Sequence, residues 1–410
     1  MNHHLLLING VLYGSTGRLA RASGEFAVQN GWKATLAHGR DVAKASSSQK
    51  LGDYVIGSQW SLYAHVLRTR LLDQHGFGSR RATMKFLDQV DQWQPTVLHL
   101  HNLHGYYLNI ELLFEYIKAT GIPTVWTLHD CWAFTGHCCH FEYIGCEKWK
   151  TGCGSCPNKK KYPASLLLDA SEDNYQQKRT LFTGVDNMTI VTPSQWLADL
   201  ARESFLGEYP IEVIQNGIDL DAFYPEVSDV RAQLGISPQD FMVLGVALNF
   251  SDPLKGGAHF IELAQANPNI KVVLLGMTPS QQGNLPENII PLERTESLEK
   301  LRQLYTAADV FFNPTLEDTF PSVNLEALAC ETPVITFHTG GCPEQVTPEC
   351  GFCVPQQDMD AVNDAILAIQ GGAINPSLCR KRALEHYSLT AYCTKTFDLY
   401  NKVTLNASSL

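Results

Sequence analysis

Short apolar runs separated by amphipathic stretches recur along this chain, and the series restarts once, near residue 225. In the first series His4–Ile8, Thr35–Ala37, Thr96–Leu100, Thr124–Leu128, Met188–Val191 and Glu212–Ile214 read as buried strands, and Arg18–Gln29, Thr83–Trp93 and Gln195–Phe205 carry helical spacing. In the second, Phe241–Ala247, Lys271–Leu275, Asp309–Asn313 and Pro333–Phe337 read as strands, with helices over Ala258–Ala266, Ser297–Ala307, Val323–Ala329 and Ala361–Ile369. Strands that are apolar throughout and alternate with helices predict parallel sheets covered on both faces. A chain of 410 residues exceeds one ordinary core and suits two. The turn-like Asn216-Gly217 and Pro225 within Asp219–Ser228 place the join. The expectation is an α/β protein with domains over 1–224 and 225–387. A last helix over 388–410 carries Tyr392, Phe397, Leu399 and Tyr400.

The net charge is −11, which argues against general nucleic-acid binding. Residues 1–205 balance at +3 and the remainder at −14, as expected of two domains with different partners. No apolar run is long enough to span a bilayer. His4–Ile8 is too short, and lacks the basic flank, for a signal-peptide core. The expected location is the cytoplasm, with peripheral contact at its membrane face open. Of 12 Cys, six lie between Cys131 and Cys156. A tight cluster in a cytosolic chain points to metal more than to a disulfide framework.

Ligands of open α/β sheets bind at the carboxyl ends of strands, so those ends carry the candidate sites. Tyr13-Gly14-Ser15-Thr16-Gly17-Arg18 follows the first strand and opens a helix, where backbone N–H groups and the helix dipole favour an anion. An ordinary strand-to-helix turn reads the same way. After Asp309–Asn313, Pro321 suits a first helical turn and would present the N–H groups of Ser322 and Val323. Asp318 precedes that helix and Glu326 lies about one turn inside it. Paired carboxylates can accept from sugar hydroxyls, although a capping Asp318 and a solvated Glu326 are equally compatible with the pattern. Gly340-Gly341-Cys-Pro-Glu344 follows the next strand, and Lys255-Gly256-Gly257 offers a cation to a phosphate. In the first half, His129-Asp130 ends a strand at the mouth of the expected cleft.

Taken together these segments resemble the retaining glycosyltransferases of family 4, whose fold is GT-B: two Rossmann-like, doubly wound parallel-sheet domains facing a cleft. The carrying motifs are Asn216-Gly217-Ile218-Asp219, Lys255-Gly256, Asp318–Glu326 and Gly340-Gly341-Cys-Pro-Glu344. Within the family the chain looks most like exopolysaccharide transferases of the colanic-acid type. That likeness rests on Gly14–Arg18, Trp126–Cys138 and the Gly145–Pro157 segment with its three glycines and three cysteines.

The resemblance implies a nucleoside diphosphate sugar as donor and an oligosaccharide or lipid-linked saccharide as acceptor, with hexose transfer at retained anomeric configuration. It implies that Glu326 holds the ribose, that Asp318 lies near the donor sugar, and that Lys255 neutralises the diphosphate. Gly14 and Gly17 would face that diphosphate, His129 would lie near the reacting carbon, and the last helix would cross back to the first domain. Two departures stand out. The first acid is Asp318 where the family has Glu, with Glu317 adjacent. No Arg precedes Lys255 within Leu248–Leu254, so Arg18 or a hydrogen bond from Asn249 or Ser251 is the candidate substitute. Asp219-Leu-Asp221 and Asp358-Met-Asp360 imitate a metal-binding D-x-D motif, but one belongs to the domain junction and the other to a helix start. No catalytic divalent metal is expected. The competing reading is a non-catalytic binding or scaffold protein of the same fold.

The loop Cys131–Pro163 is long and lacks periodicity, which suggests a functional role or an external brace. Cys138, Cys146, Cys153 and Cys156 form a candidate tetrathiolate zinc site of structural type. Cys139 and Cys131 are alternates, and reduced thiols or a disulfide remain open. In the same loop Lys148, Trp149, Lys150, Lys159, Lys160, Lys161 and Tyr162 mix charge with aromatics, a pattern suited to an anionic membrane or to a solvated charge run.

Overall fold

The computed structural model describes residues 3–39, 51–295 and 297–407. Its contacts divide the chain into Met1–Gln215 with Tyr392–Leu410, and Asn216–Ala391. The sequence boundary at 224/225 thus falls nine residues late, because the junction segment from Asn216 packs with the second unit. Ile218 there bridges to Ser388 of the same unit.

The first unit holds seven strands: β1 (His4–Asn9), β2 (Lys33–His38), β3 (Gly52–Val55), β4 (Val97–Leu100), β5 (Thr124–Thr127), β6 (Met188–Thr192) and β7 (Ile211–Val213). They pair in the order β3-β2-β1-β4-β5-β6-β7, all in parallel, with Leu5 of β1 flanked by Ala34 and Val97. The order reverses between β1 and β4, which defines a crevice at their carboxyl ends. Every residue of β1 is buried, as a central strand covered on both faces requires. Ser58, Asn109 and Ser194 cap the helices Gln59–Leu72, Ile110–Thr120 and Gln195–Glu203 through side-chain oxygens.

The last helix spans Leu389–Ala407. Phe397 packs edge-on against Phe26 and Trp32 at 5.8 and 5.2 Å, and the Tyr400 hydroxyl meets Nδ1 of His99 at 2.5 Å. Burying aromatics of this size stabilises by about 2–3 kcal/mol apiece.

The second unit holds β8 (Phe241–Val246), β9 (Ile270–Leu275), β10 (Ile289–Leu292), β11 (Val310–Asn313), β12 (Val334–Phe337) and β13 (Gly351–Val354). Their order is β10-β9-β8-β11-β12-β13, again all parallel, with the reversal between β8 and β11. Alternate residues of one strand enter opposite cores, as the two-residue period dictates. Met242, Leu244, Val273 and Phe311 belong to one cluster, and Val243, Val272, Leu274 and Phe312 to the other.

Three strands escape the sequence reading. β3 is largely exposed and shows no apolar run, β10 carries Pro291 at a sheet edge, where proline is tolerated, and β13 is a short edge strand. The helix after β1 runs over Gly14–Gln29, so Gly14 and Gly17 form its first turn instead of preceding it. Among the described residues no helix is long and apolar enough to cross a membrane.

Candidate functional site

In the second unit, two loops leave the crevice between β8 and β11. The first carries Asp252, whose carboxylate accepts from the Leu254 N–H and starts the 3₁₀ turn Pro253–Lys255. Gly256 then adopts a φ of +71°, and a Cβ there would lie 2.2 Å from the Pro314 carbonyl oxygen. Only glycine lets the loop after β8 touch the loop after β11. That contact lets the Lys255 Nζ reach Oδ2 of Asp318 at 3.3 Å. The Asp318 charge in turn holds the Lys255 ammonium above its ordinary pKa.

Pro321 is the N-cap of the helix Ser322–Ala329 and no side chain caps it, so the first N–H groups, at Ser322 and Val323, stay available to a ligand. Glu326 is not solvated: it is 4% exposed and accepts from the Tyr305 hydroxyl at 3.0 Å and from Ser322 Oγ at 3.4 Å. Asp318 accepts from the Phe320 N–H at 3.3 Å. Gly340, at φ +51°, lies so near the Asp318 carbonyl that a Cβ would fall 1.7 Å from its oxygen. Gly341 starts the turn Cys342–Gln345, which includes Glu344. Lys255, Asp318, Pro321–Val323, Glu326 and Gly340 are therefore brought together. Asn249 is exposed on the loop after β8 and accepts from the Ser251 N–H.

The sequence reading missed an amide network behind this site. Asn313 at the end of β11 donates to Asn324, Asn324 to Gln345, and Gln345 to the Pro321 carbonyl, at 2.9, 2.9 and 3.0 Å. A buried chain whose members are all hydrogen-bonded fixes geometry, here the helix start beside Asp318.

In the first unit the crevice lies between β1 and β4. Asn9 ties the two loops together, donating to the Val11 carbonyl and accepting from the Asn102 N–H. Gly17 is buried, with a hypothetical Cβ 2.4 Å from the Leu12 carbonyl carbon, whereas Arg18 is exposed. His129 and Asp130 follow β5. His129 Nε2 meets His101 Nδ1 at 3.0 Å with the two rings stacked, and burial pushes the His129 pKa down to about 4, so the ring is neutral. Asp130 accepts from His104 at 2.7 Å and from the Trp132 N–H at 2.9 Å. Burial opposes its charge, but His104 outweighs it and holds the carboxyl below the usual range. His101, Asn102 and His104 were missed. The run Leu-His-Leu-His-Asn-Leu-His at the end of β4 signals them once β4 is known to border the reversal.

The Cys131–Pro163 loop has its own core. Phe141 stacks on Trp149, and Phe134 packs edge-on against Phe141 and tilted against Trp149, so aromatic packing supplies order that periodicity does not show. Lys178, also missed, is fully buried beneath it. Its Nζ donates to the Trp132 and Thr135 carbonyls at 2.7 and 3.0 Å and lies 3.5 Å from the centre of the Trp132 ring. Burial lowers its pKa to about 7. All the described cysteines are free thiols. Cys138, Cys146, Cys153 and Cys156 line one small cavity of about 20 Å³, and the Gly136 N–H points at Cys153 Sγ at 3.2 Å. A hydrogen bond from Cys138 lowers the Cys156 thiol to about 7, and burial raises Cys153 to about 11. Among the described residues, however, the group whose three ligand atoms lie within 4.8 Å of one another is His104, Asp130 and Cys139. Trp149 is 2% exposed and cannot face a membrane. Lys148 is bonded to the Gly154 and Ser155 carbonyls, and Lys150 pairs with Glu147 and Glu203.

The acidic D-x-D pairs are structural. Asp219 accepts from the Asp221 and Ala222 N–H groups, and Asp358 caps the helix Met359–Gln370.

Two parallel sheets of this order, with a lysine and two acids at the reversal of the second, define a glycosyltransferase of the GT-B fold. Two models of glycosyltransferase domains match the chain in succession: residues 48–222 match the one described as Glycosyltransferase Family 4, and residues 230–382 the one described as Glycosyl transferases group 1. It is similar to a putative colanic acid biosynthesis glycosyl transferase, WcaC, of Escherichia coli, at 27% identity over 307 residues and 72% of each chain. In fold it resembles a sucrose-phosphate synthase from Thermosynechococcus elongatus (TM-score 0.71, 18% identity, 99% of this chain and 100% of that one). It also resembles HepE of Anabaena, solved in complex with UDP (TM-score 0.65, 18% identity, 98% and 100%).

Proposed function

We propose that this glycosyltransferase moves a hexose from a nucleoside diphosphate sugar to a hydroxyl of a lipid-linked saccharide, with retention, during assembly of a surface or extracellular polysaccharide. The carrying observation is the Lys255–Asp318 pair beside the uncapped start of the Ser322–Ala329 helix. The donor class is supported by the Anabaena relative in fold, solved with UDP and with UDP-glucose. The polysaccharide setting is supported by the name of the Escherichia coli relative.

In this reading Glu326 holds the ribose and Asp318 contacts the donor sugar. Lys255 turns from Asp318 toward the diphosphate, joined by the Ser322 and Val323 N–H groups. Gly14, Gly17, Arg18 and Asn249 supply further diphosphate contacts, and Gly340, Gly341 and Glu344 border the sugar. Neutral His129, with Asp130 behind it, lies on the acceptor side. The bond from the anomeric carbon to the phosphate oxygen breaks as the acceptor oxygen attacks the same face. The acceptor proton passes to the departing phosphate oxygen, and fixed donors where that charge develops supply the rate. No carboxylate nucleophile is required, unlike in retaining glycosidases. The test is incubation with nucleotide sugars and a lipid-linked acceptor. Acceptor-dependent release of nucleoside diphosphate is expected, and NMR of the product should show the donor's anomeric configuration. Donor binding with no release of nucleoside diphosphate would favour a binding protein, and an inverted product would refute retention.

We infer further that Cys138, Cys146, Cys153 and Cys156 take a structural zinc. The support is their shared cavity and the N–H donor on Cys153. Four thiolates leave no open position for water, so such a site holds the loop and takes no part in transfer.

A further inference from the structure

The helix Gln59–Leu72 is built inside out. Its buried positions are His65 and Thr69, both polar. Trp60, Tyr63, Leu67 and Leu71, spaced i, i+3, i+7 and i+11, are 84, 62, 59 and 37% exposed. Residues at that spacing share one face. The inward side is satisfied by hydrogen bonds: His65 Nε2 accepts from the Gly76 and Gly78 N–H groups at 3.2 Å each, Nδ1 meets Ser79 Oγ, and Thr69 donates to the His65 carbonyl. The fold therefore does not use the apolar stripe.

A second apolar element lies against this helix. Leu166, Leu167 and Leu168 are 66, 64 and 55% exposed. They are held there, since the Leu166 and Leu168 N–H groups donate to the Arg70 and Leu71 carbonyls at 2.8 and 3.2 Å. Ser165 Oγ and Lys159 Nζ fasten the Leu168 and Leu167 carbonyls. Contiguous apolar surface of this kind marks an interaction site.

The charges beside it have one dominant sign. Arg68, Arg80 and Arg81 line a groove of about 590 Å³ together with Leu67 and Leu71, and Lys159–Lys161 precede the leucines. Asp73, at the helix end, is buried against His137, and Glu111 is engaged by Arg80. An apolar stripe with tryptophan and tyrosine, flanked by arginine and lysine, is complementary to the headgroup layer of an anionic bilayer.

We propose that the face formed by Gln59–Leu72 and Leu166–Leu168 docks on anionic lipid, with the leucines and Trp60 entering the interface and the arginines meeting phosphates. The proposal does not depend on the reaction assigned above. It replaces the membrane surface expected around Trp149 and keeps only its Lys159–Lys161 flank. The test is co-sedimentation of the full chain with vesicles of phosphatidylcholine alone and of phosphatidylcholine mixed with phosphatidylglycerol. The bound fraction should be at least about tenfold higher on the anionic vesicles. It should fall by a similar factor in a Leu67→Ser/Leu167→Ser variant and in an Arg68→Glu/Arg81→Glu variant, each checked for native circular dichroism. Equal binding to both vesicles would overturn the proposal. So would unchanged binding by both variants, or a chain that dimerises through this face and ignores lipid.

Discussion

Lys255 and Asp318 meet at 3.3 Å at the point where the second sheet reverses its strand order, although 63 residues separate them in the chain. A cation placed there is poised to exchange a carboxylate for a phosphate. Lys255→Ala should lower turnover by about two to three orders of magnitude, the cost of removing one oriented charge from a transition state. Asp318→Asn should keep diphosphate binding, since it frees Lys255, yet lose turnover if the acid contacts the sugar. Steady-state rates beside nucleoside diphosphate affinity separate the two, and near-full activity of Lys255→Ala would sink the assignment.

Gly340→Ala should damage the same site from behind. Its φ of +51° and the Asp318 carbonyl 1.7 Å from the Cβ position leave no room for a methyl group. A loss of about 3 kcal/mol or more in the stability of the second unit is expected, read from denaturant unfolding. Gly283→Ala, with nothing within 4 Å, serves as the tolerant control.

Acid should weaken the first unit before the second. Burial lowers the pKa of His65 and His129 to about 4 and that of His99 to about 3 from 6.5. The unfolded chain then binds more protons, so stability present above pH 6.5 is lost as pH falls toward 4. His137 runs the other way: burial disfavours its charge, but Asp73 raises the pKa overall. Its contribution is full below 6.5 and fades as pH climbs through the raised value. Unfolding monitored at the first unit's tryptophans should shift to lower denaturant between pH 6.5 and 4. A midpoint independent of pH in that range would contradict the burial argument.

Protein purified without chelator should contain close to one zinc per chain. Changing Cys153 and Cys156 together to serine should release it and open the Cys131–Pro163 loop to protease. If Cys139→Ser releases the metal and the double variant does not, the ligands are His104, Asp130 and Cys139. Metal-free protein with a protease-resistant loop would leave Phe134, Phe141, Trp149 and Lys178 as sufficient braces.

What could be read from sequence followed from local pattern. Strands such as β1, β11 and β12, buried throughout, announce themselves as apolar runs, and Lys255, Asp318 and the helix that carries Glu326 follow strand ends, where ligands bind in such sheets. β3 could not be read, since an exposed edge strand leaves no apolar trace. Lys178 looks like a solvated helix residue because its carbonyl partners lie more than forty positions away. Glu326 is buried by Tyr305, a contact no spacing encodes. His101 and His104 were in plain view but gained meaning only once β4 was known to pair with β1.

Closure of the first unit by the chain's final helix has a bearing on synthesis. The ribosome delivers residues 216–391 in one stretch, so that unit can complete itself as it emerges. The first unit, although begun earlier, keeps the ring faces of Phe26 and Trp32 and the imidazole of His99 uncovered until Phe397 and Tyr400 arrive. Folding during translation usually completes the amino-terminal body first, whereas here that body lacks part of its packing until the chain beyond residue 391 is made. A nascent chain released before Phe397 would carry a finished second unit and an open aromatic face, which is the kind of surface that chaperones and proteases bind.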